Sequence, residues 1–420
     1  MTAALCAQCG QPLRLGQPLA VHNKRVVHHV AEDCVPRISG GDDYQRHRGV
    51  GLPPGRAARD AADVILTSEQ QRAVTAIEEA IAAGSHFSLH GLAGSGKTTI
   101  AARIAASLPT TAYLCAPTAK AASVLTAKTG VAATTIHAAF YHFVREEERP
   151  DKPPKLVFRP KHSSGELEGK VLLLDECSMV PRNIAADILA TGITVIAFGD
   201  PGQLQPVDGD PFFTKASFTL TEIHRQALDN PIIRQAHAVR TGGRYTADGA
   251  ALRVIDKATA DDLRAANVVL VGLRKTRMGM NERIRRALGL QSPLPRYGEP
   301  LICLRTKRKY GLCNGAIYYA SRDLHADDET IGISTDDGDI EVHAHFLPPN
   351  HEYDKLDLPP GWTAFAYGYA LTVHLAQGSE FDRVLLIDEW YWPKDRTRWL
   401  YTGLTRAKER IVIAREGGAA

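Results

Sequence analysis

From Leu66 onward the chain switches repeatedly between two hydrophobic periods. Ala73, Val74, Ile77 and Ile81 recur at helical spacing behind Thr67-Ser68-Glu69-Gln70, which starts a helix with Thr67 or Ser68 as its cap. His86 to His90 alternates like a short strand, and the Ala-rich run Ile100 to Leu108 reads as a helix. Ala112 to Ala116 is a second strand, followed by a helix to about Thr129, and Thr135-Ile136-His137 opens a further segment. Val171 to Leu174 is an unbroken apolar run, as expected of a central strand covered on both faces. Thr194 to Phe198 is the next strand. Strands separated by helices predict a parallel sheet with ligands at the strand C-termini. Val268 to Val271 begins a second set, continued by Tyr367 to Ala376, Arg383 to Asp388, a helical segment Tyr401 to Arg410 and a last strand Arg410 to Ala414.

Two stretches break the alternation. Phe140 to Glu168 holds Arg145-Glu146-Glu147-Glu148-Arg149, Pro153-Pro154 and Lys155 to Phe158, and predicts an inserted excursion with a short hairpin. Pro300 to Val342 reads as several short strands with turns at Asn314-Gly315 and Asp337-Gly338, which predicts a small inserted β-barrel. Ahead of Leu66, Leu19 to His22 and Lys24 to His29 form a hairpin pattern turning at Asn23-Lys24. Gly40 to Ala62 has no period, is rich in Gly, Pro, Arg and Asp, and reads as a linker.

Composition narrows this picture. A chain of 420 residues with 44% hydrophobic and 23% charged content fits two or three ordinary globular domains. The absence of a long apolar run or a signal-peptide pattern predicts a cytoplasmic protein with no membrane partner. The net charge of +3 says little, but Arg274 to Lys309 carries 11 Lys and Arg against 2 Glu, a local +9 that suits a polyanion. Of seven cysteines, Cys115, Cys177, Cys303 and Cys313 are scattered and expected as buried thiols. Cys6-Ala7-Gln8-Cys9-Gly10 is a knuckle that Cys34 closes. With His29 as fourth ligand, or His28 in its place, these supply three thiolates and an imidazole for structural Zn²⁺. A module of ~40 residues has too small a core to fold without such a staple.

The strongest chemical signal is GLAGSGKTT, Gly91 to Thr99. It fits G-x-x-x-x-G-K-[ST] between a predicted strand and a predicted helix. Backbone N–H groups through Gly94, Ser95 and Gly96 to Thr99 would face nucleotide phosphates, Lys97 the β and γ phosphates and Thr98 a Mg²⁺ ion. Asp175-Glu176 ends the apolar strand about 80 residues later. The first carboxylate suits Mg²⁺ and the second a water-activating base. A turn at Gly199 to Val207 offers the Gln203 amide to the γ phosphate, and Gln70 has the donor and acceptor for an adenine edge.

Seven ordered segments carry a family resemblance: LTSEQQRAV, GLAGSGKTT, APTAKAA, LLLDECSMV, GDPGQLQPV, LTEIHRQ, and the pair YALTVHLAQGSEFDRV with LYTGLTRAKERIVI. The chain resembles superfamily 1B DNA helicases of the RecD and phage Dda type, from about Leu66 to Ala414. The resemblance implies an α/β fold of two RecA-like parallel-sheet P-loop domains, 66–222 and 223–420. The excursion at 138–168 takes the place of a duplex-splitting wedge, and 296–360 that of an SH3-like barrel. The zinc candidate, residues 1–39 before a linker at 40–65, lies outside that pattern and could serve a protein partner. The resemblance also implies ATP and Mg²⁺ between the domains, single-stranded DNA and duplex junctions as partners, a 5′ to 3′ direction and a monomer. By motif, Gln70 would read adenine, Arg225 and Arg406 would be arginine fingers, and Glu380 a ribose contact. Gln203 would couple γ phosphate to nucleic acid, and Thr118, Lys120, His137, Thr372 and His374 would touch the strand. The competing reading is a nucleic-acid-binding protein switched by ATP that does not unwind.

Overall fold

The computed structural model describes residues 19–22, 25–28, 65–108, 112–149, 152–206, 209–222, 229–335, 338–348, 358–359, 361–389 and 395–415. The chain divides into two units, Met1–Gly51 and Leu52–Ala420. In the first, Leu19–His22 pairs antiparallel with Arg25–His28, His22 opposite Arg25. Cys6, Cys9, His29 and Cys34 lie outside the described residues.

The second unit holds two parallel sheets and a closed barrel. The first sheet orders its strands Phe218–Leu220, Phe87–Gly91, Thr194–Gly199, Val171–Leu174, Tyr113–Ala116 and Thr134–Thr135. Strand alternation covers both its faces. Leu173 and Ile196 pack with Ile77, Ile100 and Ile104 on one side. Leu172, Leu174, Val195 and Ala197 pack with Ile136 and Ile188 on the other. The first helix, Ser68–Ala82, starts at Thr67, whose side chain and that of Gln70 form a reciprocal capping box.

The second sheet runs Leu252–Ile255, Ala407–Ala414, Phe381–Ile387, Val268–Val271 and Ala370–Thr372. The helix expected at Tyr401 to Arg410 instead spans Arg396–Leu404. The final strand starts at Ala407 rather than Arg410 because Thr405 and Arg406 form a turn, after which Phe381 pairs with Ala407. The core of this lobe includes Leu204, Ile232, Trp399, Tyr401 and Leu404, and Leu92 and Ala93 of the first lobe pack against it. Two hydrogen bonds also cross there, Leu204 N–H to Thr402 Oγ1 (3.0 Å) and Gln377 Nε2 to Leu204 O (3.1 Å).

The barrel interrupts the second lobe. Leu301, Cys303, Ile331, Ile333, Val342, Ala344, Phe365 and Tyr367 fill it at the two-residue period of strands. Its closing strand is Thr363–Tyr367, beyond residue 360, and pairs parallel with Gly338–Leu347. A parallel neighbour cannot follow through a tight turn, so the chain needs the intervening crossover. The excursion in the first lobe is a hairpin of two nine-residue strands, Tyr141–Arg149 and Lys152–Pro160. Cys115, Cys177 and Cys303 are buried free thiols, whereas Cys313 is only half-buried. Among the described residues no helix is long and apolar enough to cross a membrane.

Candidate nucleotide and nucleic-acid site

The phosphate loop joins the strand Phe87–Gly91 to the helix Lys97–Ser107. Gly94 and Gly96 adopt φ of 84° and 83°, where a side chain would be strained. Gly91 is constrained by space, since a Cβ there would lie 2.4 Å from Ser95 Oγ. Lys97 Nζ donates to the carbonyls of Gly91 (2.6 Å) and Leu92 (3.0 Å), so the loop backbone holds the ammonium. Ser95 Oγ is buried without a partner, a costly state for a hydroxyl unless a ligand completes it. Gln70 turns inward. Its Nε2 donates to Ser95 O (3.1 Å) and its Oε1 accepts from Thr67 N–H (3.1 Å), so the amide ties the first helix to the loop.

Asp175 and Glu176 follow a strand two places from the loop's own, with Thr194–Gly199 between. Glu176 has φ 50°, the one positive value at a non-glycine among the described residues. Its N–H donates to Asp175 Oδ1 (2.9 Å). Burial, and then the adjacent Asp175, push the Glu176 carboxyl up to about 7, while Arg406 and Lys97 oppose the shift. Burial also raises Asp175, opposed by the Glu176 N–H and Lys97. Two half-buried carboxyls that resist ionisation, near a lysine and an arginine, suit a divalent cation with a polyphosphate. Thr98 is the second residue of the helix Lys97–Ser107. Gln203 Oε1, in the turn after Thr194–Gly199, is buried with no partner.

Arg406 reaches this pocket from the second lobe. Only 5% exposed, it donates Nε to Thr402 O (3.1 Å), Nη1 to Ser379 O (3.1 Å) and Nη2 to Thr405 Oγ1 (3.2 Å). All three partners are neutral, and none of the described carboxylates pairs with it. A buried guanidinium held by neutral oxygens keeps its charge for an anion. Glu380, next to Ser379, is exposed. Arg225 lies outside the described residues.

The expected nucleic-acid residues sit at the C-terminal edges of both sheets. Thr118 follows the strand Tyr113–Ala116, and its Oγ1 accepts Ala121 N–H (3.1 Å). Thr372 ends the strand Ala370–Thr372, and its Oγ1 accepts Leu375 N–H (3.2 Å), so the two lobes repeat one device. Lys120 is exposed and His374 half-buried. His137 lies at the hairpin base, its ring 5.0 Å from Phe158 and 5.3 Å from Tyr141. Burial lowers the pKa of His374, which favours a neutral ring, while His137 is exposed. Gly378 brings the lobes together here, since a Cβ on it would lie 2.8 Å from Ala121 Cβ.

An AAA domain model matches residues 65–261, and a UvrD-like helicase C-terminal domain model matches 367–414. The ATP-dependent RecD2 DNA helicase of Deinococcus radiodurans is 30% identical over 367 residues, covering 79% of this chain and 47% of that protein. The Pif1 helicase of Bacteroides in its single-strand-bound structure shares the fold at TM-score 0.57 and 20% identity, with 84% of this chain and 92% of that one covered. Its complex with ADP-AlF3 and single-stranded DNA gives 0.54 at 21% identity, with the same shares covered. The chain is similar in sequence to the RecD-type helicases and in fold to the Pif1 helicases. It spans about half the length of the RecD2 relative.

Other residues of the quoted segments make contacts to which the sequence reading gave no role. Tyr401 Oη donates to Asp200 Oδ2 (2.7 Å) and accepts Ala93 N–H (2.8 Å), joining second lobe to phosphate loop. Glu69 accepts from Thr221 N–H (3.0 Å) and Glu222 N–H (2.9 Å), tying the first helix to the end of the strand Phe218–Leu220. Tyr401 reads in sequence as one more core aromatic. Its one signal is position, five residues before Arg406.

Proposed function

We propose that this chain is an ATP-dependent helicase that moves 5′ to 3′ along single-stranded DNA and separates duplex ahead of it. The observation that carries the reading is Arg406, a buried cation of one lobe with no partner among the described carboxylates, acting on the charge of Glu176 in the other. Lys97 and the loop amides bind the triphosphate, Glu176 takes the proton of the attacking water, and Arg406 and Arg225 stabilise the transferring phosphoryl group. Gln70 braces the loop beside the adenine, Glu380 meets the ribose, and Gln203 orients the γ phosphate. Thr98 and Asp175 would hold Mg²⁺, which supplies charge neutralisation at the phosphates when bound. Loss of the γ phosphate removes the anion that both lobes share, and the lobes part. Thr118, Lys120, His137, Thr372 and His374 hold the strand on the two lobes, and the hairpin divides the duplex.

Cys6, Cys9, His29 and Cys34 form a structural zinc set in the same proposal. Metal analysis should then find about one zinc per chain, and none would remove that part. The motor reading is tested with a 5′-tailed duplex, matched in DNA and RNA. Strand displacement on ATP addition supports it. Strand-stimulated hydrolysis without displacement would favour an ATP-switched binding protein.

A further inference from the structure

A hydrogen-bonded path crosses between the lobes on a single phenol. Tyr401 is fully buried on the helix Arg396–Leu404. Its hydroxyl donates to Asp200 Oδ2 (2.7 Å) and accepts Ala93 N–H (2.8 Å). The direction is fixed, because a backbone N–H only donates and a carboxylate only accepts. Asp200 Oδ1 accepts Gly202 N–H (2.9 Å), and Asp200 O accepts Gln203 N–H (3.2 Å). The path therefore runs from the third residue of the phosphate loop to the turn bearing Gln203, whose Oε1 is buried and bare. His237 grips the same loop residue from the other side, its Nε2 3.3 Å from Ala93 O. Gly202 makes room for the phenol, since a Cβ there would lie 3.0 Å from Tyr401 Cε1.

We propose that Tyr401 is a positioning residue that couples the phosphate loop to the Gln203 turn across the lobe interface, and through them couples strand binding to ATP turnover. This rests on the hydrolysis reading above and adds a residue to it. Parting of the lobes would break both Tyr401 bonds together, because one hydroxyl makes both. Of the other crossing bonds, those of Leu204 with Thr402 and Gln377 do not touch the loop, whereas that of His237 does.

Tyr401→Phe keeps the ring and removes only the hydroxyl, and Asp200→Asn alters the next link. Both, and the double variant, are assayed in the full chain for kcat and KM of ATP with and without oligo-dT, after a thermal melt establishes folding. Each single variant should lose about tenfold in kcat with oligo-dT while KM moves by less than about threefold. The double should fall no further than the lower single, as for links of one path. If Tyr401→Phe does not fold, Asp200→Asn alone must show the same split between kcat and KM. Stimulated kcat within about twofold of wild type, or additive losses, would overturn the relay and leave the motor reading intact. A wild-type chain that does not hydrolyse ATP would overturn both.

Discussion

Burial and the neighbouring Asp175 hold the Glu176 carboxyl in its protonated form up to about pH 7, against the pull of Arg406 and Lys97. Its role and its environment predict effects on hydrolysis, on pH dependence and on stability. Glu176→Gln should cut hydrolysis by at least about a hundredfold while ATP still binds, as loss of a general base requires. Wild-type turnover should rise with pH through about 7, with a single ionisation that the variant lacks. The stability effect has a definite sign. The folded value lies above the ordinary glutamate value of 4.5, so folding is favoured by the bound proton at low pH. That advantage is lost as pH rises from 4.5 to about 7. Glu176→Gln should therefore raise the melting temperature at pH 8 and change it little at pH 4. An equal shift at both would refute the assigned environment. Lys97, Asp175 and Glu176 were legible in the sequence because their chemistry lies in local spacing. Tyr401 and Asp200 were not, because the bond between them joins positions that only folding brings together. Gln70 was legible as a helix-start amide, but its tie to Ser95 depends on the loop's packing.

Elements with one strong period were legible as elements. Val171–Leu174 is buried at every position, as an unbroken apolar run between two neighbouring strands requires. Boundaries near turns were harder to read. Arg396–Leu404 and Ala407–Ala414 meet at Thr405 and Arg406, and sheet pairing rather than propensity sets where the strand begins. The closing barrel strand, Thr363–Tyr367, lies past the expected barrel bound of 360, because its pairing with Pro300–Cys303 and Gly338–Leu347 is set by the fold and not by local sequence. Two predictions belong to this scale. Replacing residues 144–157 with a short turn should abolish duplex separation while strand-stimulated hydrolysis survives. A shortened chain that still unwinds would free the hairpin of that role. Gly378→Ala forces a Cβ to within 2.8 Å of Ala121 Cβ at a φ of 75°. It should destabilise the protein by about 1–3 kcal/mol and weaken oligo-dT binding, measured by melting and fluorescence anisotropy.

For the molecule as a whole, the two sheets present comparable edges to a common interface. The phosphate loop packs into the core of the second lobe through Leu92 and Ala93, and Arg406 comes back toward the carboxylates of the first. A nucleotide between the lobes would thus act on both at once. The most direct test is displacement of a labelled strand from a 5′-tailed DNA duplex, comparing wild type with Arg406→Ala at saturating ATP. The account predicts displacement by the wild type that requires ATP, and none by Arg406→Ala although it still binds the tail. Displacement that proceeds without ATP, or that Arg406→Ala performs at the wild-type rate, would contradict it.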